Sequence, residues 1–144
     1  MNRVLDSLRR FQIAQAAAVR RACTALGVPE SALNALRLLI AEGNENGVIL
    51  RELSARLGIS PAVATGVVDR LEAKGWARRR TDPSDRRALI VIATVPTDSP
   101  VREVIRDLDD PLRRVADSAT EEEARAVRML ARAMEETLEA YRPR

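Results

Sequence analysis

Between residues 51 and 95 the chain is punctuated in a way that leaves few folds open. Leu53 and Leu57 stand one helical turn apart, and Gly58 ends that short helix, because glycine tolerates the left-handed conformation a helix end often needs. Ser60 and Pro61 then start a second helix, Ser60 as N-cap and Pro61 as first helical residue. It runs to about Lys74 and is closed by Gly75. Asp82-Pro83-Ser84-Asp85 is a turn by composition. The run Ala88-Leu89-Ile90-Val91-Ile92 after it is apolar and rich in β-branched residues, so Trp76 to Thr94 reads as a hairpin with a charged tip.

Helix, tight turn, helix and charged hairpin, in that order, predict a winged helix-turn-helix over about residues 29–95. The turn holds the second helix steeply against the first, so that it protrudes far enough to enter a major groove. The flanks are helical. Val4, Leu8, Phe11, Ala14, Ala18, Ala22 and Ala25 recur at three- and four-residue steps over 3–26. Leu33, Leu36, Leu39 and Ile40 define a helix at about 30–42. Gly43 to Gly47 is a turn cluster, and Val48-Ile49-Leu50 a very short strand. Ser99-Pro100 opens a helix to about Asp117 with Pro111 inside it. Thr120 and Glu123 form a capping box for a last helix reaching about Tyr141, with Val127, Leu130, Ala131, Met134 and Leu138 on one stripe. The fold class is mainly α with a small β-hairpin wing. Aromatic residues are only 2% of the chain, so the core must be aliphatic.

Steps of ~100° place Ala64, Val67, Val68 and Leu71 on the inward face of the second helix. Ala62, Thr65, Gly66, Asp69 and Ala73 fall outward, with Pro61 leading in and Val63 and Arg70 at the margin. That outer face is small and mostly uncharged, so it can approach base edges. Thr65 can bond a base edge or touch a thymine methyl, Ala62 offers apolar contact, and Arg70 can meet phosphate. Arg78, Arg79, Arg80, Arg86 and Arg87 are five arginines within ten residues around the hairpin turn. Phosphates and minor grooves favour arginine for its fixed fork and weak hydration.

Overall charge is +3, but residues 51–95 carry nine Lys/Arg against five Asp/Glu, and residues 96–144 nine against twelve. A basic middle facing a polyanion and an acidic lobe facing away is the implied arrangement.

Leu50-Arg51-Glu52-Leu53-Ser54-Ala55-Arg56-Leu57-Gly58-Ile59-Ser60, then Val67-Val68-Asp69-Arg70-Leu71-Glu72-Ala73-Lys74-Gly75-Trp76, then Asp82-Pro83-Ser84-Asp85-Arg86-Arg87-Ala88 resemble the MarR family of transcriptional regulators. The close match covers about residues 48–94, and the flanking helices agree in order and length. The resemblance implies a homodimer, with residues 1–28 and 96–144 as the helical dimerisation lobe. It implies double-stranded DNA as partner: recognition helices in successive major grooves of a pseudo-palindromic operator, wings in the flanking minor grooves. It implies a repressor released by a small-molecule effector. The implied DNA-binding residues are Ser60, Pro61, Ala62, Thr65, Gly66, Arg70, Arg79, Arg86 and Arg87, with Arg86 in the minor groove. Asp69, paired with Arg87, and Asp85 would support the wing. The chain departs from the family pattern at Gly66, where a larger polar residue is common, and at Ala93-Thr94-Val95-Pro96-Thr97, which replaces Leu-Thr-x-x-Gly.

Two other regulatory readings compete. A winged helix can bind protein instead of DNA, and a single lysine among 24 basic residues points to a compositional bias that would inflate arginine everywhere. Cys23 can sense oxidants if Arg20 and Arg21 lower its thiol pKa. Catalysis has little support: there is no histidine, and no Gly-rich phosphate loop. No metal and no cofactor is expected. No apolar run approaches the ~20 residues of a membrane helix. No signal peptide is recognisable, and the lone cysteine forms no internal disulfide, so the expected location is cytoplasmic.

Overall fold

A computed structural model describes residues 2–43 and 45–143. Six helices and three strands follow in the order α1 (Arg3–Leu26), α2 (Glu30–Glu42), β1 (Val48–Ile49), α3 (Leu50–Leu57), α4 (Pro61–Ala73), β2 (Ala77–Thr81), β3 (Leu89–Ala93), α5 (Pro100–Asp117) and α6 (Glu121–Glu139). The expected elements are all present. The last helix stops two residues short of Tyr141, and α5 runs on through Pro111. Of the expected turn cluster, Asn44 lies outside the described residues.

The chain divides into two compact units, residues 1–108 and 109–144. The first is built on α2. Its Leu33, Leu36 and Leu39 have no exposed surface and pack with Leu53 of α3, Val68 and Leu71 of α4 and Val91 of β3. Each such leucine contributes roughly 1.5–3 kcal/mol when withdrawn from water. Val19 and Ala22 of α1 and Ile105 of α5 join this same core, so the winged-helix lobe shares its interior with helices on either side of it. In the second unit, Thr120 accepts from the Glu123 amide and the Glu123 carboxylate returns to the Thr120 amide at 2.8 Å. The Thr120 amide and, at 3.0 Å, the Thr120 hydroxyl both donate to that carboxylate, favour the ionised acid and hold the Glu123 pKa below its usual range.

The sheet order is β1-β3-β2, all antiparallel, with Val48 opposite Val91 and Arg79 opposite Val91 on the other side. β3 is central, and its residues Ile90 to Ala93 are buried on the core. Gly47 delivers the chain into β1 at φ +64°, and a Cβ there would lie 2.6 Å from the Val91 carbonyl oxygen and 2.6 Å from Ile90 Cγ2. Side-chain absence and backbone hand are both required at this point.

Gly47→Ala is therefore expected to cost at least about 2 kcal/mol, a left-handed penalty of ~1–2 kcal/mol plus the clash with backbone. Urea unfolding of the two proteins measures it, and a loss below about 0.5 kcal/mol would contradict the close approach.

Candidate nucleic-acid interface

The turn between α3 and α4 is made as its residues require. Gly58 sits at φ 64°, its amide bonded to the Ala55 carbonyl, and the Ile59 amide reaches the Ser54 carbonyl at 3.1 Å. That closure ends α3 and reverses the chain within three residues. Ser60 then caps α4, its Oγ accepting from the Val63 amide at 3.2 Å, with Pro61 in the first turn. Ala64, Val67, Val68 and Leu71 are buried. Pro61, Ala62, Val63, Thr65, Gly66, Asp69 and Arg70 are exposed. A Cβ at Gly66 would meet nothing within 4 Å. The Thr65 hydroxyl donates to the Pro61 carbonyl at 3.0 Å.

The wing is fastened to α4 by one arginine. The Arg79 amide donates to Glu72 Oε1 at 2.8 Å and its Nη1 to Glu72 Oε2 at 2.5 Å. Its Nη2 donates to Asp69 Oδ1 at 2.7 Å and to the Thr65 carbonyl at 3.1 Å. The Arg79 side chain is only 20% exposed, against 64% for Asp69. The Glu72 pair, better shielded and doubly bonded, carries most of the attachment, since an exposed pair is worth ~1 kcal/mol at most. The expected Asp69–Arg87 pair is not formed. Arg79 reaches Asp69 from the adjoining strand, whereas Arg87 lies in the hairpin loop, where its amide bonds Asp85. The guanidinium of Arg79, expected on DNA, is thus turned to the protein's own acceptors.

The hairpin tip is ordered by two aspartates. Asp82 Oδ1 accepts from the Ser84 amide at 2.9 Å and the Ser84 hydroxyl at 2.8 Å. These bonds hold its carboxyl below the usual pKa. Asp85 Oδ1 accepts from the Arg87 amide at 3.0 Å. Arg86 and Arg87 are exposed, and among the described residues neither guanidinium has an ion-pair partner. Arg87 and Thr65 line one groove of about 550 Å³ with Pro61, Arg51 and Leu50. The structure therefore brings the start of α4, the start of α3 and the wing to one place. Arg79 does not line that groove and is bonded to α4 instead.

Three residues take roles that were not expected from sequence. Glu72 is the main acceptor for Arg79. Arg80 holds the Glu45 carbonyl at 2.9 Å. Arg51 enters the groove from α3. The spacing of Thr65, Asp69 and Glu72 at steps of four and three, one helical ridge opposite a strand of arginines, is the signal that would have found the first.

Cys23 is half-buried on α1. Burial pushes its thiol pKa up, and the charge of Glu30 adds to this. That is opposite to the lowering by Arg20 and Arg21 that oxidant sensing would need.

A short helix, a three-residue turn, a protruding helix and a three-stranded sheet ending in a basic hairpin define a winged helix-turn-helix protein. The family model that matches, over residues 26–88, is that of the MarR family. A transcriptional regulator of Bacillus subtilis, the uncharacterized YcgE, is 32% identical over 103 residues, 71% of this chain and 64% of the relative. The chain thus spans less than two thirds of that relative's length. Among solved structures, NadR in complex with 4-hydroxyphenylacetate superposes with a TM-score of 0.70 at 16% identity, over 93% of each chain. A MepR variant of S. aureus bound to an oligodeoxyribonucleotide does so at 0.60 and 16% identity, over 96% of this chain and 99% of that one. It is on this winged-helix lobe that the chain is similar to the MarR family.

Two outcomes are expected. Arg79→Ala removes the guanidinium from Glu72 and Asp69, leaving Glu72 only the residue-79 amide, and should destabilise the protein by about 1–2 kcal/mol; a loss under about 0.5 kcal/mol in urea melts would assign the attachment elsewhere. Cys23 in the native protein should alkylate with iodoacetamide at neutral pH more slowly than in the unfolded chain. Equal or faster labelling would restore the thiol as a sensor.

Proposed function

We propose that this chain is a homodimeric transcriptional repressor that binds a pseudo-palindromic duplex operator and is released by a small-molecule effector. The observation that carries the reading is the joining of an exposed, unbulky α4 face to a basic wing with two unpaired arginines, Arg86 and Arg87. Ser60, Pro61, Ala62, Thr65 and Gly66 face the major groove. Arg70 meets phosphate, and Arg86 and Arg87 enter the flanking minor groove, where narrow A·T tracts attract arginine. Asp69, Asp85 and Arg79 support the wing. The fold-likeness to a DNA-bound MepR supports the site.

Dimerisation is supported by apolar side chains left outside the core. Phe11 and Ile13 on α1, Leu112 and Val115 on α5, and Val127, Leu130 and Leu138 on α6 are all exposed, Leu138 at 72%. Patches of this kind mark association surfaces. Two copies joined through such helices present two recognition helices about one DNA turn, ~34 Å, apart. An effector acts by favouring a spacing that does not fit that separation, and by linkage it weakens DNA binding as much as DNA weakens it. A ligand-bound fold relative, NadR, supports an effector in kind. This chain's own effector is unspecified. No helix among the described residues is long and apolar enough to cross a membrane.

The protein should bind the promoter region of its own gene more tightly than scrambled DNA, measured by fluorescence anisotropy. Affinity should fall steeply with salt, with a log–log slope of about −0.9 per phosphate contact. Equal, weak binding to both, or a monomer by light scattering at micromolar concentration, would overturn the reading, and a protein partner would then be sought.

A further inference from the structure

Resting on the DNA-binding function proposed above, we infer that α4 recognises A·T pairs, through thymine 5-methyl groups and the adenine N6 amino group, rather than guanine. The first two turns of α4, Pro61 to Val68, contain no Arg, Lys, Asn or Gln. Those side chains supply the two-bond contacts that read guanine O6/N7 and adenine N6/N7. They are missing from the part of a recognition helix that lies nearest the bases. What the helix presents there is methyl-sized and apolar: Ala62, Val63 at 49% exposure, and Gly66 with open space around it.

Within Pro61 to Val68 one exposed polar side chain remains, and its proton is already used. The Thr65 hydroxyl donates to the Pro61 carbonyl at 3.0 Å. It therefore turns lone pairs outward and acts as an acceptor, while its methyl adds to the apolar surface. An acceptor beside methyl groups complements a base pair that shows an amino donor and a methyl in the major groove. Only A·T shows both. Guanine shows two acceptors on that edge, which would face the Thr65 lone pairs. Arg70 stands five residues, about one and a half turns, beyond Thr65 and at the margin of the face, where phosphate is the nearer partner.

The test starts by selecting the tightest duplex from a random library with the full chain. In that duplex, thymines of each half-site are replaced by deoxyuridine, which removes only the 5-methyl group. In a second duplex, guanines are replaced by 7-deazaguanine, which removes N7. Minor-groove edges are untouched by both, so wing contacts stay constant. Deoxyuridine should weaken binding about fourfold per contacted methyl, the equivalent of ~0.8 kcal/mol for one buried carbon. The 7-deazaguanine duplex should stay within twofold. Thr65→Ser, which keeps the hydroxyl and removes the methyl, should lower the penalty for deoxyuridine. Thr65→Val should keep that penalty and lose the preference for adenine over its N6-lacking analogue purine.

An enriched duplex that is indifferent to deoxyuridine, or more sensitive to 7-deazaguanine, overturns this inference alone and transfers readout to Arg70 or the wing. A library from which no sequence is enriched overturns it together with the proposed function.

Discussion

A single guanidinium ties the hairpin to the helix it serves. Arg79 meets Glu72, Asp69 and the Thr65 carbonyl from one planar fork, so it fixes direction as well as distance. A lysine ammonium has no such fork. The bond from the Arg79 amide to Glu72 anchors the strand itself, not only the side chain. The wing is consequently oriented from its base, and its tip aspartates need only shape the loop. The base of the wing is thereby placed by Arg79, Glu72 and Asp69.

The same division runs through the apolar side chains. The interior is finished by aliphatic residues of α2, α3, α4 and β3, with help from α1 and the first part of α5. It needs no aromatic residue with no surface left. What remains on α1, on α5 beyond Leu108 and on α6 is apolar surface beyond what that core requires. In a small chain such surface is a liability unless something covers it, and the proposed dimer is what would make it useful.

Most of this architecture could be read from punctuation and periodicity. Gly58, Ser60, Pro61 and Thr120 act through local backbone chemistry, and local chemistry is legible in sequence. So is the inward face of α4, because four apolar residues at helical spacing have one way to be buried. The partner of Asp69 was not legible. Arg87 was expected, whereas Arg79, eight residues earlier and on β2, makes the pair. That choice follows from how β2 lies against α4, a long-range packing event with no local mark. The depth of Cys23 is similar: neighbouring arginines suggested a reactive thiol, but burial and Glu30 from the next helix prevail.

The exposed positions Ala62, Thr65 and Gly66 of α4 carry none of the protein's side-chain packing. Gly66 has free space around it, and Ala62 and Thr65 project away from the core. Substitutions at these positions can therefore accumulate without drawing on the stability of the domain. A duplicated gene could acquire a new operator by a handful of changes on this one surface while its fold and its assembly stayed intact. Divergence of regulatory circuits would then be limited by the supply of matching DNA sites, not by protein foldability.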